Sequence, residues 1–302
     1  MEYVSCNICG SDRHKVLYES NLGAASELTP LQLSVAHTDK TTGRIVKCLN
    51  CGTIYINPRD EWRHLRENYE KLTEKEYMEE EDNRRHTFNK KITYLNRFIH
   101  GGKILDVGCQ AGLFLSVCKN YGWETYGVEV SPITALYARE NYGLNIVTGT
   151  LEEAHFPEQY FDAVTMFDVL EHLSSPKETI LEVNRILKKN GYLLFSTPNI
   201  DSVFSRILKR RWHAVIRSHL FYFSKKSVFK LLQSSGFRVI QIKNNARVFR
   251  LKYAVSKLKQ LNRSIYTLAD YIIGRSFSMG QRSVSLNFGD DMLVLARKIR
   301  NQ

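Results

Sequence analysis

Proline and cysteine are scarce, six of each in 302 residues, and no apolar run approaches the roughly 18 to 20 residues that a membrane-spanning helix needs. Met1-Glu2-Tyr3 opens no basic-then-apolar signal segment, so the expectation is a soluble, cytoplasmic chain. Acidic residues are missing from the last third. Residues 200–302 carry 21 Lys and Arg against only Asp201, Asp270, Asp290 and Asp291, a net +17, whereas residues 1–199 stand at −5. Such asymmetry raises the local concentration of an anionic partner, which a diphosphate-bearing small molecule, a nucleic acid or an anionic membrane surface would each satisfy. A solvated basic face kept for solubility is the plainer reading. With 43% hydrophobic and 25% charged residues, disorder as the main state is excluded and one large or two ordinary domains are within reach.

Four of the six cysteines fall in two matching knuckles, Cys6-Asn7-Ile8-Cys9-Gly10 and Cys48-Leu49-Asn50-Cys51-Gly52. Ligands three positions apart let one tight turn aim both thiolates at one ion, and the following glycine accepts the positive φ that closes the turn. Two such turns complete a tetrahedral S₄ site suited to Zn²⁺. A closed S₄ site leaves no position for substrate, so the metal would hold a fold. The 38 intervening residues exceed the usual spacing and predict a loop from Ser20 to Thr42.

Asn57-Pro58-Arg59 marks a stop, after which Glu61 to His100 reads as two helices with Trp62, Leu65, Tyr69 and Leu72 on one apolar stripe. From Lys103 short apolar runs alternate with helical stretches, the pattern of a parallel α/β sheet. Seven strands are expected, at Lys103–Val107, Glu124–Val130, Asn145–Thr148, Phe161–Phe167, Tyr192–Ser196, Phe237–Lys243 and Met292–Ala296. Helices fit at Ala111–Tyr121, Pro132–Tyr142 and Pro176–Lys188, the last ended by Asn190-Gly191. Ser131 and Ser175 are the expected caps before their prolines, and Ser224 caps a further helix running to Ser235. Between the last two strands, Arg250–Ile273 has apolar residues at intervals of three and four with lysines and arginines off that line. It reads as a basic amphipathic helix that packs on the core, meets a partner or lies on a membrane. The expected units are a ribbon over residues 1–57, a helical lid or linker over 58–100 and a core over 101–302 with a helical insertion near 247–287.

The first α/β unit reads Asp106-Val107-Gly108-Cys109-Gln110-Ala111-Gly112, and Glu129 ends the next strand 23 residues beyond Asp106. Glycines at a strand-to-helix turn let backbone approach a ligand, and an acid at the next strand tip can accept both hydroxyls of a ribose. Dinucleotide binding asks for Gly-x-Gly-x-x-Gly, but Gln110 and Leu113 stand where the second and third glycines belong. No Gly-Lys-Ser/Thr phosphate loop exists either. The ligand expected is a nucleoside without a phosphate chain.

These residues resemble the class I S-adenosylmethionine-dependent methyltransferases over most of 101–246 and the last strand. The resemblance implies a Rossmann-like, seven-stranded, mostly parallel α/β sheet. It also implies S-adenosylmethionine as cofactor, at the first motif Asp106, Gly108, Gln110 and Gly112, at the ribose acid Glu129 with Val130 beside it, at the adenine loop Thr150-Leu151 and at Phe167 on the fourth strand. Tyr69 and Tyr77 would close the N-terminal helices over it. Gln110 departs from the usual middle glycine and bears on the path of that loop. The order of knuckles, Tyr55-Ile56-Asn57-Pro58-Arg59, a Tyr-rich helix, the core and His219-Leu220-Phe221-Tyr222-Phe223-Ser224 is similar to zinc-ribbon methyltransferases of bacterial polysaccharide and deoxysugar pathways. That implies a sugar-type acceptor; taken with the basic third, the expectation is an anionic sugar-type small molecule or lipid-linked glycan, with peripheral contact to the inner membrane face through that third.

Methyl transfer to a hydroxyl or acidic carbon needs a base, and imidazole is the side chain that titrates nearest neutrality. His219, ahead of a capped helix, is the first candidate for it. His172, next to Glu171, is the second, though a structural or substrate-orienting role is the favoured reading for it. A zinc ribbon with a basic third also suits an RNA methyltransferase. Phe167-Asp168-Val169-Leu170 is unlike the Asn/Asp-Pro-Pro-aromatic sequence of base amino-methylases, however, and no Pro-Cys nucleophile is present. A non-catalytic module that keeps the cofactor pocket is the remaining alternative.

Overall fold

The computed structural model describes residues 1–23, 28–30, 41–71, 81–250, 267, 271, 283–286 and 289–301. Seven strands form the central sheet: β4 (Gly102–Val107), β5 (Trp123–Glu129), β6 (Asn145–Thr148), β7 (Phe161–Phe167), β8 (Leu187–Pro198), β10 (Phe237–Asn244) and β13 (Asp291–Lys298). They lie in the order β10-β13-β8-β7-β4-β5-β6. Strands β4 to β8 pair in parallel, while β13 runs antiparallel to both β8 and β10. Helices Leu113–Lys119, Pro132–Tyr142 and Pro176–Ile186 return the chain after β4, β5 and β7, and the turns of residues 149–160 return it after β6. Ile104–Val107 of β4 and Ala163–Met166 of β7 are buried at every position because both faces of a parallel sheet are covered. One layer of core holds Val107, Val164, Met166 and Phe195, the other Ile104, Ala163, Leu194 and Leu295.

Four sequence expectations change. Ser131 caps its helix through Thr134, but Ser175 makes no side-chain capping bond. The helix after Pro176 ends at Ile186, not at Lys188, because Leu187 already pairs with Phe161 while Ala163 pairs with Tyr192. Residues 188–191 therefore loop out within β8, with Asn190 at φ 65° and Lys188 Nζ 2.8 Å from Asp162. The Asn190-Gly191 signal marks that bulge. The first crossover helix is shorter than expected, Leu113–Lys119. Finally, the insertion begins and ends as strands, β11 (Arg247–Arg250) pairing antiparallel with β12 (Ser283–Leu286). The amphipathic helix expected over 250–273 lies outside the described residues, Arg250, Thr267 and Tyr271 apart.

The N-terminal segment forms an antiparallel sheet of β1 (His14–Tyr18), β2 (Ile45–Cys48) and β3 (Ile54–Ile56). Its fourth strand, β9 (Phe221–Tyr222), comes from the far side of the chain and pairs with β3. Ribbon and core thus share one sheet edge. The expected helices appear as Trp62–Glu70, with Leu65 buried, and Glu81–Leu95, whose Phe88 meets Phe114 of the first crossover helix at 5.4 Å.

Candidate active site

Parallel pairing places the ends of β4, β5, β6 and β7 on one edge of the sheet, and the chain's chemistry gathers there. After β4, Gly108 and Cys109 donate their N–H groups to the Val128 carbonyl, and Gln110 follows at φ 48°. Gln110 therefore adopts the left-handed conformation that a glycine would take, so the turn keeps its path without the middle glycine. A Cβ on Gly108 would meet Val169 Cγ2 at 2.6 Å. At Gly112 it would strike Leu144 and Ala138 at 2.5 and 2.8 Å, so this glycine serves helix packing. Glu129 closes the turn: one carboxylate oxygen accepts from Gln110 N and the other from Ser131 N, both at 2.9 Å. Val130, beside it, is partly buried.

Beyond β6, the Thr150 N–H is held by Glu153 at 2.9 Å and Leu151 is buried. Arg66 of helix Trp62–Glu70 binds the other oxygen of Glu153 at 2.5 Å, and Tyr69 one turn later reaches His172 at 2.9 Å. This helix spans from the turn after β6 to the turn after β7. Tyr77 lies outside the described residues.

Asp106 is buried, and Thr165 Oγ1 donates to it at 2.6 Å. Burial raises its carboxyl to about 7 against the pull of Thr165 and the nearby Lys91 charge, with Glu129 adding to the rise. Lys91 is itself buried, its ammonium 3.7 Å from the centre of the Phe167 ring. Cation–π attraction and Asp106 together hold that charge at the tip of β7. Lys91 was not among the sequence-derived candidates. The available signal was a lysine interrupting the apolar stripe Phe88, Ile92, Leu95.

His172 and His219 stand edge to face, ring centroids 4.6 Å apart. The Leu220 N–H binds the Glu171 carbonyl at 2.8 Å, which ties the His219 segment to the turn after β7. Glu171 accepts from Thr197 Oγ1 at 2.8 Å. Nδ1 of His219 faces the Ala214 carbonyl at 2.8 Å and Nδ1 of His172 the Ser218 carbonyl at 3.0 Å. The carbonyl partner of His219 requires its Nδ1 to carry the proton, so its Nε2 keeps the lone pair, while Nδ1 of His172 is shared between the Ser218 carbonyl and the Tyr69 hydroxyl. Burial lowers His172 to about 4, and burial together with His172 pushes His219 well below the usual range. Both imidazoles are neutral across physiological pH.

A sequence model of the methyltransferase domain matches residues 78–242, more than half of the chain. The chain belongs to this family. It is 32% identical over 104 residues to the mitochondrial ubiquinone biosynthesis O-methyltransferase of Schizosaccharomyces pombe, spanning 32% of this chain and 38% of that one. To the ubiquinone biosynthesis O-methyltransferase of Alkalilimnicola ehrlichii it is 34% identical over 108 residues, 33% and 43% of the two chains. The chain thus spans less than half the length of these relatives. An uncharacterised protein of Methanocaldococcus jannaschii is 26% identical over 247 residues, 79% of this chain and 89% of its own. A crystal structure of a putative methyltransferase from Bacillus halodurans superposes with TM-score 0.51 at 18% identity, over 70% of this chain and 99% of that one. The YcgJ protein of Bacillus subtilis gives 0.50 at 19%, over 71% and 99%. These two share the fold.

Outside the methyltransferase domain, the four knuckle cysteines converge with all sulfurs within 4.8 Å of one another. Cys6 and Cys51 are 3.5 Å apart, Cys9 and Cys48 3.6 Å. Zn–S bonds of about 2.3 Å imply a tetrahedral edge of about 3.8 Å, so the donor set fits zinc. Gly10 and Gly52 sit at φ 73° and 83°, as the knuckles require. Of the cations that precede His219 in the chain, Arg217 is buried and paired with Asp60, whereas Arg206, Lys209 and Arg211 are exposed and Arg210 half-buried.

Proposed function

We propose that this methyltransferase-domain protein moves a methyl group from S-adenosylmethionine to a hydroxyl of an anionic acceptor, of the sugar type that its ribbon and core resemble. One observation carries the reading: the Leu220–Glu171 hydrogen bond holds the His219 segment against the turn after β7, on the sheet edge that also carries the Glu129 turn. Gly108 and Gln110 would cradle the cofactor, Glu129 would accept its ribose hydroxyls, and Leu151 and Phe167 would bound its apolar surfaces. Bound there, S-adenosylmethionine supplies an electrophilic methyl group on a sulfonium. His219 takes the hydroxyl proton on Nε2, while the Ala214 carbonyl holds its tautomer and His172 packs its ring. Tyr69 positions His172. The four cysteines hold one structural zinc, away from this chemistry. The likeness to ubiquinone biosynthesis O-methyltransferases supports O-methylation as the reaction type, and the +17 charge of residues 200–302 supports an anionic acceptor.

Calorimetry with S-adenosylmethionine tests the cofactor site. Glu129→Ala should weaken binding by roughly 1.5 to 3 kcal/mol, the range for hydrogen bonds to a charged group; an unchanged Kd refutes the assignment. A radiolabelled methyl-transfer screen against nucleotide sugars, lipid-linked glycans and RNA tests the acceptor. Label in RNA alone would transfer the reading to a nucleic-acid methyltransferase, and cofactor binding with no label anywhere to a non-catalytic module.

A further inference from the structure

The short helix Val203–Leu208 turns its serine inward and most of its apolar residues to water. Ser205 is its one buried residue. The Ser205 N–H donates to the Ser202 cap at 3.0 Å, and the Ser205 hydroxyl donates to the Ile200 carbonyl. Val203 and Ile207, one turn apart on the opposite side, are 69% and 72% exposed, and Phe204 beside them is 40% exposed. Leu208 alone of the apolar residues packs inward, on the cluster that holds Trp212. A surface helix ordinarily does the reverse and lays its apolar stripe on the core. Apolar side chains gathered in the open mark a contact surface.

The charges around that stripe select what it contacts. Arg206 on the same helix and Lys209 and Arg211 in the 3₁₀ turn that follows are exposed, and none has an ion-pair partner among the described residues. Asp201 is the one acid in residues 199–219 against five lysines and arginines, of which Arg217 is already paired with Asp60. An apolar stripe beside free cations is the chemistry that an anionic lipid surface takes: the apolar side chains enter the acyl boundary while the cations stay among the headgroups. A second copy of the chain seated on this patch about a two-fold axis would instead set the same three cations against each other. Both ends of the segment are tied down at the sheet edge that carries the chemistry. The Ile200 N–H binds the Phe223 carbonyl at 2.9 Å, and Leu220, next to His219, binds the Glu171 carbonyl at 2.8 Å. Between them the Trp212 indole N–H donates to Asp290 at 3.1 Å.

We propose that Val203, Phe204 and Ile207, with Arg206, Lys209 and Arg211, form a docking surface for an anionic lipid bilayer. Docked there, the chain lays the His219 side of the sheet toward the membrane, where a lipid-linked acceptor would come within reach. That consequence rests on the methyl-transfer reading, whereas the docking does not.

Co-flotation of the intact chain with lipid vesicles tests it, with neither cofactor nor acceptor present. At low salt, wild type should bind phosphatidylcholine vesicles containing about one-third phosphatidylglycerol at least about tenfold more tightly than pure phosphatidylcholine vesicles. Val203→Ser/Ile207→Ser should weaken that binding at least about tenfold while melting within about 2 °C of wild type, because the two side chains stand in water. Arg206→Gln/Lys209→Gln/Arg211→Gln should lose most of the preference for the anionic vesicles. Wild type that binds neither kind of vesicle overturns the surface. So does a Val203→Ser/Ile207→Ser chain that binds as wild type does, which would move membrane contact elsewhere in the basic third. A dimer in sedimentation that this double variant abolishes, without vesicle binding by wild type, would give the stripe to a second copy. A double variant melting well below wild type would give it to the interior of the chain.

Discussion

His219 and Asp106 are both shifted by burial, but in opposite directions on the charge scale, and each shift makes a measurable statement. His219 holds its proton on Nδ1, and burial keeps it neutral well below the ordinary imidazole range, so the acid limb of activity falls below that range. Replacing it by Ala should cut turnover 10²- to 10⁴-fold while leaving cofactor affinity nearly unchanged. Steady-state kinetics with more than half the turnover retained would reject the base. Asp106 is held at about 7 against an ordinary 3.8, so the folded protein binds its proton more tightly than the unfolded chain. The associated stability is complete below about pH 4 and is lost as pH rises through 7. Asp106→Asn has no such slope. It should therefore gain roughly 2 to 3 kcal/mol on wild type between pH 5 and pH 8 in denaturant titrations of the ligand-free protein. Parallel pH profiles would show the carboxyl to be ionised throughout.

At the scale of elements, the two-residue strand β9 joins the ribbon to the chemistry. Its Phe221 stacks on Tyr55 of β3 at 6.2 Å, and the preceding Leu220 binds both Ile56 N and the Glu171 carbonyl. Loss of the metal should therefore be felt at His219. Stripping zinc with a chelator is expected to release about one equivalent and to lower acceptor turnover at least tenfold, while S-adenosylmethionine affinity stays within about threefold, because the Glu129 turn rests on β4 and β5. Full turnover in metal-free protein would detach the ribbon from the site. No periodicity announces a strand of two residues, and β9 exists because β3 offers it an edge. By contrast, Asn145–Thr148 and Phe161–Phe167 match the sequence reading to the residue, since each apolar run is bounded by a local stop signal. Pro132 behind Ser131 likewise fixes its helix. The glycine turn and Glu129 were legible from spacing alone. Lys91 was not, because its meaning comes from Phe167 and Asp106, 76 and 15 positions further along. Asn190-Gly191 misled for a related reason: a turn signal says that the chain bends, and only the pairing of Leu187 with Phe161 shows that it bends inside a strand.

Taken whole, the molecule separates a −5 portion from a +17 portion along the chain, and the fold brings the two against each other at the same sheet edge. Residues 1–199 supply the Glu129 turn and Asp106. Residues 200–302 supply His219 and, around it in sequence, the exposed cations Arg206, Lys209, Arg211, Lys225 and Lys226. Arg217 is neutralised by Asp60, so it adds nothing to the long-range field. An anionic acceptor would be drawn by the remaining charges from beyond contact distance, an effect that ions screen once the Debye length falls to about 10 Å at 0.1 M salt. The zwitterionic amino-acid end and single sulfonium charge of S-adenosylmethionine give that field much less to act on. Raising salt from 0.02 to 0.5 M should therefore lower kcat/KM for an anionic acceptor by about tenfold, mainly through KM, while the cofactor Kd changes less than twofold. Charge-reversal of Lys225 and Lys226, which lie outside the proposed machinery, should flatten that dependence without changing kcat at saturation. A kcat/KM independent of salt would place the acceptor's recognition wholly in short-range contacts and leave the basic third as a solvated face.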